Sequence, residues 1–471
     1  MSGFVDRGEE IKSLNESYQN LSKKSALVVV YGRRRIGKTE LLRNFLAGKE
    51  GVYLLATLQP IAQNIANFSQ RAAEFFHDDA IKTNPFTTWD GFFQYLVREL
   101  RRRNRPTVII FDEFTYLVQE DRAVPSIFQK YWDEHLKDLP VMFILCGSFI
   151  GMMETEVLGY KASLYGRRAK QLYVEEVPFR ELAKFLPKYS SAQLVEAYSL
   201  VGGMPYYLLQ LSEEGSIGEN ILRFTKKDSI LYNDAHWVLR EELREPRIYY
   251  SILRAIAAGK TTQNEIAQSC YLKTNEVGPY LATLADMKLI ERRIPATEPK
   301  PERSRHGSFR IRSNYYRFWF RFIYENQDFI EQNRQVELVD EIIIPQVNTY
   351  VGPIYEDVVR ETLTTMNKKG LLPFKFDIIG SWWSRKEEID VVTVNDHAKS
   401  IVFGEVKWAA LNEREVLDIR KELIRKSKLV EWNRDARIEH YLVVAKAAPK
   451  VKLEDTTVLS LDDLLGAPEG R

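Results

Sequence analysis

The chain has 471 residues, enough for about three domains. Its 45% hydrophobic and 28% charged residues are an ordinary globular composition, and a net charge of +2 makes no case for nucleic acid by itself. Two cysteines exclude a disulfide framework and imply a reduced, cytoplasmic protein, and no apolar run nears the ~18–20 residues of a membrane span.

The first residues lack the cationic-then-apolar order of a signal peptide. Short apolar runs then alternate with amphipathic stretches, the α/β pattern. Ala26–Tyr31, Val52–Thr57, Thr107–Phe111, Val141–Cys146 and Gln171–Val174 read as five strands. The first, third and fourth are apolar almost throughout, as strands buried on both faces of a parallel sheet should be. From about Glu175 to Ile230 the text is helical, broken by Gly202-Gly203-Met204-Pro205. A second helical block runs from about Leu239 to Asp286, and the proline-rich, charged Arg292–Ser308 reads as a loop or hairpin tip. Strands return at Phe374–Ile379, Ile389–Val394, Ser400–Val406 and His440–Ala445, with helical text between them, so a second α/β unit is expected.

Gly32-Arg33-Arg34-Arg35-Ile36-Gly37-Lys38-Thr39 matches G-x-x-x-x-G-K-[ST] between a strand and an apolar-periodic helix. Its backbone N–H groups and the helix N-terminus would cradle the phosphates of ATP. Lys38 would neutralise the β- and γ-phosphates, and Thr39 would ligate Mg²⁺. The third strand delivers Asp112 and Glu113 at its end, on what is expected to be the strand beside the P-loop strand. Asp112 would hold Mg²⁺, and Glu113 would act as general base on water. Ser148, after the fourth strand, would reach the γ-phosphate or the water; a small turn residue is the alternative. Arg167 or Arg168 would act as a finger on transition-state charge, in cis or on a neighbouring subunit of a homo-oligomer; a surface pair flanking a turn is the alternative.

Phe4-Val5-Asp6-Arg7, the GRRRIGKT loop, IIFDEF, CGSF, LYGRR and VGGMPYYL together resemble the archaeal ATPase family, in the AAA+/STAND branch of P-loop NTPases. The resemblance implies a RecA-like core over 1–175 and a helical lid over 176–240. It also implies that Gly202–Pro205 begins a lid segment near the nucleotide, with Pro205 in the site, and that Phe4–Arg7 packs near the adenine.

Ile248–Ala257, Thr262–Ser269 and Thr274–Asp286, leading into Leu289–Arg292, resemble a winged helix-turn-helix within 241–340. Lys273, Asn275, Lys288, Arg303, Arg305 and Arg310 would supply DNA contacts; a structural module is the alternative. Tyr315–Tyr324 is dense in aromatics, and its helical spacing favours core over base stacking. In 341–471, Glu356 falls on a helix, Asp390 heads an apolar strand, and Glu405 and Lys407 share a face of the next strand. Asp390 and Glu405 would hold Mg²⁺ or Mn²⁺, and Lys407 would orient water or stabilise charge. The segment from about 340 to 460 resembles the domain of unknown function that follows archaeal ATPase domains, which looks like the PD-(D/E)xK nuclease superfamily. The basic run Arg420, Lys421, Arg425, Lys426, Lys428, Arg434 and Arg437 would cradle a phosphate backbone, or form an exposed face laced with Glu422 and Glu431. The leading reading is an ATPase coupled to a metal-dependent nuclease-like domain acting on nucleic acid, DNA favoured. The alternatives are an ATPase scaffold that binds without cutting, and a signalling switch with a protein input.

Overall fold

The apolar runs of the N-terminal third form one parallel sheet. Its strands are β1 (Ala26–Tyr31), β2 (Gly51–Leu55), β3 (Thr107–Asp112), β4 (Val141–Gly147) and β5 (Lys170–Tyr173), in the order β2-β3-β4-β1-β5. β1, β3 and β4 are buried along their whole length, as their unbroken apolar text requires. The expectation that β3 neighbours β1 is corrected: β4 lies between them and pairs with both. Chain order does not specify this, because each crossover can pass over an intervening strand position. The register sets Tyr31 beside Gly147 and Phe111 beside Leu145, so β1, β3 and β4 end at one edge. In open α/β sheets, ligands bind at such carboxyl edges.

The computed structural model describes residues 7–21, 24–243, 246–304 and 306–466. The chain divides into two units, Met1–Glu176 and Val177–Arg471. Among the described residues no helix is long and apolar enough to cross a membrane.

In the second unit, helix Ser191–Val201 is opened by a capping box on Ser190 and stopped by Gly202. Gly203 follows, pressed against Val177, whose N–H donates to the Gly203 carbonyl at 2.8 Å. A Cβ on Gly203 would stand 1.8 Å from the Val177 carbonyl oxygen. Both sides of that contact are backbone, so Gly203→Ala should destabilise the unit by about 3 kcal/mol or more. An unchanged melting temperature would contradict this packing.

Three helices, Pro246–Ala257, Gln263–Ser269 and Thr274–Asp286, lead into an antiparallel hairpin of β6 (Ile290–Arg293) and β7 (Ser308–Ile311). The aromatic stretch after it is interior: Tyr315, Phe318, Trp319, Phe320 and Phe322 are all buried.

The last sheet holds β8 (Ile378–Trp383), β9 (Glu388–Asn395), β10 (Ser400–Ala410), β11 (Ile438–Ala447) and β12 (Thr456–Ser460), in the order β12-β11-β10-β9-β8. Three expectations are corrected. The first strand begins at Ile378 rather than Phe374, because the Phe376 backbone bonds the Asn367 side chain instead of a ladder. β8, β9 and β10 are an antiparallel meander without intervening helices. Helix Glu413–Ser427 joins β10 to the parallel β11, and a connection without a helix joins β11 to the parallel β12. β12 was not expected, being short and half-polar.

Candidate active sites

The loop after β1 is shaped by backbone angles. Arg35 and Gly37 take φ of 67° and 91°, turning the chain through the left-handed region before helix Lys38–Leu46. Nothing lies within 4 Å of a Cβ on Gly37, so the angle, not crowding, selects glycine there. Gly32 is selected by closeness: its Cβ would meet the Val174 carbonyl at 2.5 Å. Arg34 Nη2 donates to the Tyr116 hydroxyl at 2.7 Å and stacks on Phe149, while Arg33 Nη1 pairs with Glu176 at 3.5 Å. Lys38, 5% exposed, folds under the loop and donates to the Gly32 and Arg33 carbonyls at 2.9 and 2.8 Å.

Asp112 arrives from β3 at the same edge. Its Oδ2 accepts from Thr39 Oγ1 at 2.8 Å and from the Tyr53 hydroxyl, and its Oδ1 accepts the Glu113 N–H at 2.9 Å. Glu113 sits at φ 52°, an uncommon conformation for a non-glycine residue that functional sites tend to hold. Ser148 Oγ, from the end of β4, donates to Glu113 Oε1 at 3.0 Å. Glu113 Oε2 is buried without a hydrogen-bond partner. Burial pushes the Glu113 carboxyl above its ordinary range, while Lys38 pulls it down, Asp112 raises it and the Ser148 bond lowers it. A base needs the ionised form, so turnover should fall as pH drops through this raised pKa, above the usual carboxylate range. Ser148→Ala removes a bond that favours ionisation, so the acid limb of the pH–rate profile should move to higher pH. An unmoved limb would leave Ser148 no part in tuning the base.

In the second unit, four elements meet. The β9–β10 register ends at Gly404 and Val391, and Glu405 and Asp390 are the next residues on the two strands. Asp390 Oδ2 accepts the Val406 N–H at 2.8 Å. Glu405 accepts from Lys407 at 2.7 Å and from Lys426, on helix Glu413–Ser427, at 3.3 Å. Helix Ile344–Lys369 brings Glu356, whose Oε2 accepts from Arg360 Nη1 at 3.4 Å, while Arg360 also donates to the Asp390 carbonyl. Burial lifts Glu356 to about 8, with the Asp390 charge adding and Arg360 opposing. Burial, then Glu405, lifts Asp390 to about 6. Burial works against the Lys407 charge, but Glu405 and its acidic neighbours more than restore it. Hard oxygen donors whose pKa values burial and mutual repulsion raise suit a divalent cation, which would relieve the repulsion. The set is lean: among the described residues no three His, Cys, Asp or Glu side chains are grouped to hold a metal.

Residues 4–211 match the model of an ATPase domain predominantly from Archaea. Residues 319–419 match a model of archaeal and bacterial proteins of unknown function. An uncharacterized protein of Methanocaldococcus jannaschii is 36% identical over 469 residues, covering 98% of this chain and 99% of its own. The chain belongs to this archaeal ATPase-domain family. An ATP-binding protein of the same organism is 43% identical over 47 residues, 10% of this chain and 76% of its own. A solved Walker-type ATPase of Pyrococcus abyssi aligns with TM-score 0.49 and 20% identity, over 68% of this chain and 96% of its own.

Within this archaeal ATPase-domain chain, the other expected residues are placed as follows. Arg167 is not presented as an open finger: its Nε donates to both Asp133 oxygens at 2.9 Å. Arg168 donates to the Leu158 carbonyl at 2.7 Å and lies over the Tyr165 ring. Pro205 opens the short helix Pro205–Leu208 of the second unit. Phe4, Val5 and Asp6 lie outside the described residues, as does Arg305. Arg7 is described, and it braces the loop: Nη2 donates to the Ile36 carbonyl at 3.0 Å and Nη1 pairs with Glu10 at 3.2 Å. Arg310, expected among the DNA contacts, pairs with Asp357. Most of the basic run is paired: Arg420 with Asp455, Arg425 with Glu387 and Glu422, and Arg437, 1% exposed, with Glu439. Sequence reasoning missed Tyr53, and it placed Lys426 in a phosphate-cradling run without foreseeing its bond to Glu405. A tyrosine in a half-buried strand and a lysine in a basic helix carry no signal of their own.

Proposed function

We propose that this protein hydrolyses ATP with Mg²⁺ at the P-loop edge and couples turnover to a nuclease-like C-terminal domain acting on nucleic acid, DNA favoured. The convergence of Lys38, Thr39, Asp112, Glu113 and Ser148 on one sheet edge carries the reading. Thr39 Oγ1 and Asp112, already 2.8 Å apart, would hold the ion. Bound Mg²⁺ neutralises charge on the β- and γ-phosphates. Lys38 sets its ammonium against the same phosphates. Ser148 occupies Oε1 of Glu113, which leaves Oε2 to take the proton of the attacking water. The segment 176–240 would act as the lid, and 241–340 as a winged helix-turn-helix presenting Lys273 and Asn275.

In the C-terminal domain, Asp390 and Glu405 would hold Mg²⁺ or Mn²⁺. Such an ion polarises a phosphoryl oxygen and activates water. Lys407, 43% exposed at its side chain, reaches outward to orient water or a phosphate oxygen. One observation favours the second reading, binding without cleavage: both oxygens of Glu405 are already occupied by lysines. The deciding experiment incubates the protein with ATP, Mg²⁺ or Mn²⁺ and a panel of DNA and RNA forms. Cleavage that stops with chelator supports coupling to a nuclease. Binding with every form left uncut puts the scaffold reading first.

A further inference from the structure

Beside Glu356, four guanidiniums crowd one carboxylate. Asp357 Oδ1 accepts from Arg310 Nη1 at 2.9 Å, from Arg360 Nη2 at 2.6 Å and from Arg293 Nη2. Arg310 Nη2 binds Oδ2, and Arg317 Nη1 stands 3.6 Å from it. Among the described residues the other acids paired with these arginines are Glu291, 3.0 Å from Arg293 Nε and 3.1 Å from Arg310 Nε, and Glu356, 3.4 Å from Arg360 Nη1, so four cations face three acids. All four arginine side chains are largely buried, between 11% and 26% exposed. Arg317 Nη2 is buried without a hydrogen bond, and Arg310 Nε meets Glu291 as an ion pair without hydrogen-bond geometry.

Buried cations left in excess of their counter-charges are costly, and orphaned guanidinium N–H groups cost more. The cost registers on Arg310, whose pKa falls to about 9 through burial and the repulsion of Arg317, despite Asp357. The about four lone-pair sites of the Asp357 carboxylate are used by its four hydrogen bonds, and Arg317 Nη1, at 3.6 Å, is left without one. A phosphate, with more oxygens and negative charge, matches planar guanidinium forks.

We propose that Arg293, Arg310, Arg317 and Arg360 form a phosphate-binding subsite, with Asp357 as the internal stand-in for the anion. Arg360 bonds both Asp357 and the Asp390 carbonyl, so a bound phosphate lies one guanidinium from the carboxylate cluster. That adjacency points to a backbone phosphate of a nucleic-acid strand leading to the cluster. The strand assignment rests on the nuclease-like reading; phosphate binding does not.

The test uses the full chain carrying Lys38→Ala, which silences the P-loop, with EDTA present so that no cleavage can occur. Inorganic phosphate should raise the melting temperature above that in chloride at matched ionic strength. Arg317→Gln should lose that increase. Asp357→Asn should be destabilised in chloride and recover in phosphate, because the added anion replaces the lost carboxylate. A labelled single-stranded DNA, followed by fluorescence anisotropy, should bind Arg317→Gln about tenfold more weakly, with the salt slope reduced by about one. No phosphate shift, and no rescue of Asp357→Asn, would overturn the subsite. A phosphate shift with unchanged DNA affinity would overturn the strand assignment and leave free phosphate as the ligand. Cleavage in the separate incubation with ATP and Mg²⁺ or Mn²⁺, together with no phosphate shift here, sinks this inference alone; a phosphate shift here with no cleavage in that incubation sinks the nuclease reading alone.

Discussion

Lys38→Ala should bind ATP roughly 10²- to 10³-fold more weakly, the cost of truncating one partner of a buried charge pair. Phosphate release should fall to background with it. The reason is positional. The ammonium is buried under the loop and held by the Gly32 and Arg33 carbonyls, which fix it where the β- and γ-phosphates would sit. Arg33 pairs with Glu176 and Arg34 with Tyr116, so neither is placed to substitute for it. Equilibrium binding of a fluorescent ATP analogue checks the affinity. Binding at wild-type strength would move the phosphates away from this lysine.

Asp390→Ala should abolish metal-dependent cleavage, by roughly 10² or more, while ATP hydrolysis stays near wild type. The two sites lie in different units of the chain, so loss of one carboxylate in the second should not reach Glu113. Lys407→Ala should behave alike, with nucleic-acid binding retained better than cleavage, because one phosphate contact contributes little to a salt-dependent sum. Asp390 also anchors the Val406 N–H, so Asp390→Asn, which keeps an acceptor there, separates lost chemistry from a disturbed strand. Cleavage surviving in both Asp390 variants would place the chemistry elsewhere.

The P-loop was legible because its chemistry is contiguous: strand, glycines, lysine and helix follow one another. Asp112 and Glu113 were legible because an apolar strand that ends in two acids announces its edge. The position of β4 between β1 and β3 was not, since no local pattern records which strand a crossover passes. Arg167 read either as a finger or as a surface residue flanking a turn, and its partner Asp133 lies 34 residues earlier, so no local pattern announced the pair. Tyr53 was hidden for the same reason: its link to Asp112 spans 59 residues and two strands. In the C-terminal domain, residue types at alternating strand positions gave Asp390, Glu405 and Lys407. The arginines that converge on Asp357 come from a hairpin and two helices, and only the fold brings them together.

The most direct test of the account pairs two readings on one preparation of Glu113→Gln: ATP affinity and steady-state phosphate release with Mg²⁺. The amide keeps the shape and can still accept the Ser148 bond, but it cannot take a proton from water. Affinity should stay close to wild type while release slows by about 10³. Full turnover in this variant would contradict the role of Glu113 as base, and with it the proposed mechanism of hydrolysis at the P-loop edge.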